Sequence, residues 1–293
     1  MGINKTELLA MVANNEDVTK VDVSDITDMS SLFKGNLDFN QDISAWDVSN
    51  VRNMSEMFSG AESFNQQLDR WDVSNVTDMS SMFYEAKSLT INSFYNWDVS
   101  NVIDMSQMFC CAENLYATIG SWNVSNVKNM SGMFDRAEEF DVSLNNWDVS
   151  NVKNMSKMFS GAKSFNQPLN DWDVSNVRNM SEMFSGAKSF SRSLKGWDVS
   201  NVNNMNGMFS GAKSFSRLST GWDISNVKGT SDMFRGTENF VFTLMMNSLR
   251  FAFKLLIELF VIIDTRDFTH PLVTLIIAGV IFSLGILVGL MIS

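Results

Sequence analysis

The chain is poor in the residues that most catalytic and metal sites require. It holds one His, His270, and two Cys, the adjacent pair Cys110 and Cys111, among 293 residues. A single His leaves little material for a His-based catalytic or zinc site, and two adjacent Cys cannot build a disulfide framework. The composition therefore disfavours an enzyme, and we expect no cofactor and no metal site.

Basic charge is also scarce. The chain has 22 Lys and Arg against 33 Asp and Glu, a formal net charge of −11. Proteins that bind nucleic acid need a basic face for the phosphates, so nucleic acid is not an expected partner. The apolar fraction of 45% is ordinary and sufficient for a substantial core.

Tryptophan is present in a fixed pattern. The intervals between successive Trp are 25 residues, with a single interval of 26, and the eight Trp are Trp46, Trp71, Trp97, Trp122, Trp147, Trp172, Trp197 and Trp222. A constant period of this length is typical of a solenoid. One period before Trp46, Val21 begins a weaker copy, so we expect nine coils over residues 21–242. The coils are numbered 1 to 9 in chain order. The first place of a coil is Val21 in coil 1 and the Trp in coils 2 to 9, and the other places are counted from it.

The pattern inside a coil predicts one short helix and one short strand. Four apolar places have the i, i+3, i+4, i+7 spacing of a helix stripe, and in coil 6 they are Met155, Met158, Phe159 and Ala162. Asn154 is a candidate N-cap for that helix. The alternation of Leu169, Trp172 and Val174 favours a strand. We therefore expect an α/β solenoid of nine strand-turn-helix coils with a parallel sheet.

Two stretches show the repeat most clearly: WDVSNVRNMSEMFSGAESFNQQLDR at 46–70 and WDVSNVKNMSKMFSGAKSFNQPLND at 147–171. They resemble the tandem repeat of the BspA-like leucine-rich-repeat surface proteins, and the resemblance covers residues 21 to about 242. It implies a leucine-rich-repeat-like solenoid and, for bacterial members, adhesion or partner binding at the cell surface. The opening MGINKTELLAMVANNEDV has no apolar signal-peptide region, which is a departure from such exported proteins.

A row of acidic side chains is the candidate binding surface. The second place of the coil is Asp in eight of nine coils and should point outward: Asp22, Asp47, Asp72, Asp98, Asp148, Asp173, Asp198 and Asp223. The row is interpreted either as a face for a basic partner or cations, or as local turn chemistry in which each Asp accepts backbone N–H bonds. The fifth place, Asn in coils 2 to 9, predicts a ladder of hydrogen bonds between coils. A second surface feature is the change from Glu to Lys along the seventeenth place, with a solvated face or a polarised docking surface as its two interpretations: Glu62, Glu113, Glu138, Lys163, Lys188 and Lys213.

The N-terminal segment, residues 1–20, is expected to supply a capping helix, with KTELLAMVANN at 5–15 as its helical part. The opening MGINKT also fits the acylation pattern in which Met1 is removed and Gly2 is myristoylated.

The C-terminal segment is expected to anchor the chain in a membrane. Residues 272–292 are 21 uncharged, mostly apolar residues, long enough to span a bilayer core of about 30 Å. Gly285 and Gly289 have the GxxxG spacing that permits close helix pairing, and hence a homo-oligomer formed through this helix. Residues 243–263 have a narrow polar stripe and are expected to be an interfacial or capping helix, with a second span as the alternative. Residues 264–271 would be a linker.

The basic residues near this span all precede it, which by the positive-inside rule places the solenoid in the cytoplasm as a tail-anchored protein. The alternative location is the cell surface or a virion membrane. We expect a non-enzymatic, membrane-anchored repeat protein that binds a protein partner. A structural membrane component, such as a viral one, is the alternative, and a cation-binding module is the third hypothesis.

Overall fold

The computed structural model describes residues 2–90, 94–215 and 222–237. These residues belong to one compact unit, Met1–Thr237, and a second unit comprises Glu238–Ser293. The expectations for 243–263, 264–271 and 272–292 lie outside the described residues. Within the described ranges, no helix has both the length and the apolar character needed to cross a membrane.

The N-terminal helix is α1, Lys5–Ala13. Asn4 is its N-cap, because the Asn4 side chain accepts a hydrogen bond from the Glu7 N–H while the Glu7 carboxylate accepts one from the Asn4 N–H. Leu8 and Val12 are buried in the same core as coil 1. The helix therefore supplies the apolar cover that the first coil of a solenoid needs.

Nine coils stack in register as a repeat solenoid. The residue at the eighth place of each coil forms a parallel β-bridge with its equivalent in the next coil, in the chain Asp28, Asn53, Asp78, Asp104, Asn129, Asn154, Asn179, Asn204 and Gly229. Because every bridge joins equivalent places, the 25-residue period of the sequence is the period of the structure.

The short helix predicted in each coil is wrong. In coil 6 the segment Met155–Ser160 is a series of turns, and Lys157 and Gly161 have left-handed φ values of 58° and 69°. The same two places, the eleventh and fifteenth, are left-handed in all nine coils. Every second N–H group of this segment donates to coil 7, and those of Met155 and Phe159 do so to backbone carbonyls at 2.9 Å. Stacking thus satisfies donors that a helix would have satisfied within the segment.

The strand predicted around Trp172 is also wrong. Trp172 and Val177 close tight turns by donating their N–H groups to Leu169 and Val174. The parallel bridge occurs instead at Asn154, which the sequence suggested as a helix N-cap. The described coils therefore contain bridges one residue long and no longer strand.

Aromatic columns fill the core. The thirteenth place is Phe in all nine coils, and consecutive ring centroids along this column lie 5.3 to 5.9 Å apart. Trp97, Trp122 and Trp147 stack at 6.2 and 6.5 Å with rings within 4° of parallel. Each coil buries one face against each neighbour, so the core is continuous although no coil could form one alone.

Candidate functional site

The acidic row lies on the solenoid surface, with one exposed carboxylate in each coil except coil 5, where Asn123 takes the place. In every case one Asp oxygen accepts the backbone N–H of the Ser two residues later, at 3.0 to 3.1 Å; the residues are Asp22, Asp47, Asp72, Asp98, Asp148, Asp173, Asp198 and Asp223. The local turn role that the sequence suggested is therefore present throughout the row. Asn123 makes the same bond at 3.2 Å, so the turn needs the acceptor rather than the charge.

These hydrogen bonds also favour the ionised form of several carboxylates in the row. At Asp98 and Asp148 the hydroxyl of the following Ser, and then its N–H, lower the pKa of the carboxyl. The Ser N–H and then its hydroxyl lower the pKa of Asp198 and Asp223. These four carboxylates consequently remain ionised well below neutral pH.

Two further ladders hold the row in place. The Asn at the fifth place donates its side-chain N–H to the carbonyl at the fourth place of the preceding coil, as Asn151 does to Ser125 at 2.8 Å. Every Trp indole also donates to the backbone carbonyl of the residue 28 or 29 positions earlier in the chain, as Trp147 does to Ile119 at 3.0 Å. The Asn ladder agrees with the sequence-based expectation. The indole bonds were missed, although a buried Trp N–H requires an acceptor.

The seventh place forms a basic row that the sequence reasoning also missed. It holds Arg52, Lys128, Lys153, Arg178 and Lys228, all exposed. None of the five forms an ion pair within the described part of the chain. Reading this place down the repeat would have revealed the row.

The Glu and Lys residues at the seventeenth place form ion pairs between coils. Lys87 contacts Glu62 at 2.7 Å, and Lys163 contacts Glu138. All four side chains are more than one third exposed, so each pair contributes at most about 1 kcal/mol to stability. The solvated-face interpretation accounts for these contacts.

Coils 3 to 5 depart from the repeat at the fourteenth and fifteenth places. The other six coils have Gly at the fifteenth place, preceded by Ser, Lys or, in coil 9, Arg235. Coils 3 to 5 have Tyr84-Glu85, Cys110-Cys111 and Asp135-Arg136 instead. Glu85, Cys111 and Arg136 adopt left-handed φ values of 55°, 59° and 58°, in a place that is Gly elsewhere. Non-glycine residues in three consecutive coils thus adopt a conformation that ordinarily costs about 1 kcal/mol each.

The pKa values of four groups in this cluster, Tyr84, Cys110, Cys111 and Asp135, are raised. Burial raises the pKa of Cys110 and Cys111, so both thiols are protonated at neutral pH. A hydrogen bond with Glu85 raises the pKa of Tyr84 to about 12. Burial raises the pKa of the Asp135 carboxyl. A reactive thiolate is not favoured here.

Coils 3 and 4 also expose aromatic and aliphatic surface. All three Tyr of the chain lie between residues 84 and 116. Tyr95 is 68% exposed, Tyr116 55% and Ile103 43%. Most other coils have polar residues in the corresponding places, so this region differs from the repeat in the side chains that most often carry binding energy in protein interfaces.

The remaining site residues of the sequence analysis have different outcomes. Gly2 lies beside coil 1, where its N–H donates to the Asp25 carboxylate at 3.0 Å, and it lines an open groove with Asn4 and Asp28. Acylation of Gly2 stays a prediction. Gly285 and Gly289 lie outside the described residues. In the portion the structure describes, no three His, Cys, Asp or Glu side chains are grouped closely enough to hold a metal ion.

Comparison with known proteins identifies the repeat. A family model described as "Mycoplasma protein of unknown function, DUF285" matches three overlapping segments, residues 5–95, 89–195 and 169–248. Among curated proteins none matches significantly.

Among solved structures, the chain is similar to one described as a crystal structure of a TLR13–ssRNA13 complex, with 11% sequence identity and a TM-score of 0.20. That match covers 73% of this chain and 48% of the other, so the chain spans about half the length of that structure. The family matches together cover most of the sequence and coincide with the stacked coils. The chain belongs to the DUF285 family of Mycoplasma proteins of unknown function.

Proposed function

We propose that this protein is a non-enzymatic, membrane-anchored repeat scaffold that binds a protein partner through the solenoid surface of coils 3 and 4. The observation that supports this most directly is the concentration of non-repeat surface there, with Tyr95, Ile103 and Tyr116 exposed on a rigid framework. In a repeat protein the consensus residues maintain the stack, so residues that depart from the consensus and face solvent are available for recognition.

The finer identity of the chain belongs to the same proposal. The WDVSNV and MSxMFxGA strings support a relationship to BspA-like leucine-rich-repeat surface proteins. The apolar stretch 272–292 supports a tail anchor with a cytoplasmic solenoid. Protease treatment of intact cells tests this topology. A solenoid cleaved from outside would contradict the cytoplasmic orientation and favour the surface-adhesin alternative.

Photo-crosslinking tests the binding surface. A photoreactive phenylalanine analogue replacing Tyr116 in the full chain should give a discrete adduct with one protein in the native host. The matched control replaces Ser191, the residue at the same place in coil 7. A second variant carries the same analogue at Tyr95. An adduct at Ser191 equal to that at Tyr116, or no adduct at either Tyr116 or Tyr95, would refute recognition by coils 3 and 4.

A substitution experiment provides the second readout. Once the adduct is identified, Tyr95→Ala with Tyr116→Ala should weaken binding of that protein at least tenfold, because exposed interface Tyr side chains commonly contribute more than about 1 kcal/mol each. The thermal unfolding midpoint should change little, since both side chains are more than half exposed. Binding unchanged by both substitutions would place the contact elsewhere.

A second candidate function, a structural membrane component in which the solenoid is an assembly element, is supported by a different observation. The two halves of the solenoid carry opposite charge in one surface row, which is the basis of the inference below.

A further inference from the structure

Charge changes sign along one surface row of the solenoid. The seventh place precedes the eighth, which forms the β-bridges and is half-buried in coils 2 to 9, and together the two places carry at most one charge per coil. Coils 1, 3 and 4 carry a carboxylate there, from Asp28, Asp78 and Asp104. Coils 5, 6, 7 and 9 carry a cation instead, from Lys128, Lys153, Arg178 and Lys228. Coil 2 is cationic through Arg52, and coil 8 is neutral.

The whole solenoid has the same polarity. Residues 1–121 contain 6 Lys and Arg against 18 Asp and Glu, a net charge of −12. Residues 122–237 contain 13 Lys and Arg against 11 Asp and Glu, a net charge of +2. The molecule is therefore an electric dipole along its stacking direction, and the row follows the same division.

The row is also continuous, because β-bridges join the eighth place of each coil to the eighth place of the next. Ring planes in neighbouring coils differ by 2° to 15° along the Phe column and by 3° or 4° between stacked Trp. The bridges keep equivalent places side by side from one coil to the next. Such a row can face a second row of the same spacing over several coils.

We propose that two copies of this chain pair side by side and antiparallel along this row. With the two-fold axis at coil 5, the numbers of two facing coils add up to ten, so that coil 4 of one copy faces coil 6 of the other. Asp104 of coil 4 then faces Lys153 of coil 6 in the second copy, and Asp78 of coil 3 faces Arg178 of coil 7. Coil 2 is cationic in the acidic half and coil 8 is neutral in the cationic half. These two coils face each other, so Arg52 of coil 2 does not oppose another cation. A two-fold interface of this kind is self-complementary, as closed dimers require.

The contacts of these side chains in one copy determine how strong the pairs are. Asp28 already has Lys5 at 3.0 Å, so its pair with Lys228 contributes least. The cations at Lys153 and Arg178 have no ion-pair partner in the described coils. Exposed ion pairs are individually weak and are screened by salt. The dimer should therefore be weak and sensitive to ionic strength.

Lys128 distinguishes this arrangement from others. At coil 5 it meets Lys128 of the second copy across the axis, where like charges repel. Lys128→Asn, which places there the residue found at the same place of coil 8, should strengthen association. The neutralising substitutions Lys153→Asn and Arg178→Asn should weaken it. Weakening by all three would contradict antiparallel pairing centred on coil 5.

Charge exchange between two variants is the decisive test. An acidic variant carries Lys153→Glu and Arg178→Glu. A basic variant carries Thr77→Lys, Asp78→Asn, Ile103→Lys and Asp104→Asn, and it keeps the turn acceptors because Asn occupies the eighth place in five coils. In nonionic detergent at low salt, sedimentation of the full chain should show association of each variant alone weakened at least tenfold. An equimolar mixture should form a heterodimer at least as readily as the wild type forms its dimer.

The matched control reverses two cations of the same coils on another face, Lys163→Glu and Lys188→Glu. It changes net charge as much as the acidic variant and should leave dimerisation within about twofold of wild type. A dimer that disappears equally in this control would attribute association to net charge, and a mixture that fails to associate would overturn the proposal.

Association should persist with Gly285→Leu and Gly289→Leu, which would prevent pairing through the C-terminal segment. It should also persist with Tyr95→Ala and Tyr116→Ala, so its failure is distinguishable from failure of the partner-binding proposal.

Discussion

At the scale of the residue, the acidic row links turn geometry to pH. Hydrogen bonds from Ser100, Ser150 and Ser200 lower the pKa of Asp98, Asp148 and Asp198 in the folded chain. Each such group stabilises the fold above its unfolded pKa of about 3.9, and that contribution disappears as the pH falls through the lower folded value. We expect the triple substitution of these Asp by Asn to lower stability slightly at pH 7, because the contribution of the ionised form is removed, and to reduce the loss of stability below about pH 4.

Urea unfolding at pH 7 and at pH 3 measures this difference. Asn123 makes the same turn in the native chain, so the Asn variants retain the acceptor. A triple Asp→Ala variant is the control, because it removes the acceptor and should be less stable at both pH values. Equal acid sensitivity in the wild type and the Asn variant would show that the lowered pKa values do not contribute to folding.

The fifteenth place gives a second prediction at this scale. Arg136 has a φ of 58° in a place where six coils have Gly. Because Gly adopts left-handed φ without steric cost, Arg136→Gly should raise the free energy of unfolding by about 0.5 to 1 kcal/mol. The reciprocal change, Gly186→Ala, should lower it by about the same amount although the added Cβ would have space, with Gly161 Cα at 3.7 Å. Chemical denaturation of both variants measures the pair, and a destabilised Arg136→Gly variant would show that side-chain contacts of Arg136 outweigh the strain.

At the scale of the element, the two Phe columns differ in tolerance. The thirteenth place is Phe in every coil, whereas the nineteenth is Leu in coils 3 and 4, at Leu89 and Leu115. Phe159 and Phe165 of coil 6 are both fully buried, with ring centroids 4.0 Å apart. We expect Phe165→Leu to cost about 1 kcal/mol, since the coil accommodates Leu at this place elsewhere, and Phe159→Leu to cost about 2 to 3 kcal/mol. Calorimetric unfolding measures both, and equal costs would mean that the two columns are interchangeable.

The coil also shows how far sequence reasoning reaches. The Trp period gave the solenoid, its nine coils and its buried places, because apolar residues at fixed intervals must share a core wherever the backbone runs. The helix prediction failed at Met155, Met158, Phe159 and Ala162, since their i, i+3, i+4, i+7 spacing also arises in a series of turns with left-handed residues four positions apart. A helix and these turns differ in the acceptors of their N–H groups. The N–H of Phe159 donates to a carbonyl of the next coil, whereas in a helix it would donate within the segment. A pattern within one coil contains no information about that partner.

The candidate surface follows the same logic. The acidic row was predicted because it recurs in nearly every coil, and the local role of each Asp was foreseen from its distance to the following Ser. The clusters at Tyr84, Cys110 and Asp135 were not assembled in advance, because they are consecutive only once coils are stacked. Departures from a repeat become informative when the same place is compared between neighbouring coils.

At the scale of the molecule, each coil of a solenoid contacts only the coils next to it, so a destabilising substitution affects mainly the adjacent coils. A substitution in the N-terminal cap should therefore destabilise the first coils and not the later ones. Leu8 of α1 is fully buried in the core that coil 1 shares. Leu8→Ala should cost about 2 to 5 kcal/mol locally. Hydrogen exchange should then accelerate at the coil 1 amides that donate to coil 2, Met29, Ser31 and Phe33, and remain unchanged in coils 6 to 8. Leu169→Ala, in a buried place of coil 6, is the matched control and should accelerate exchange in coils 5 to 7 while leaving coil 1 protected. Uniform acceleration across all coils by either substitution would mean that the solenoid unfolds as one cooperative unit.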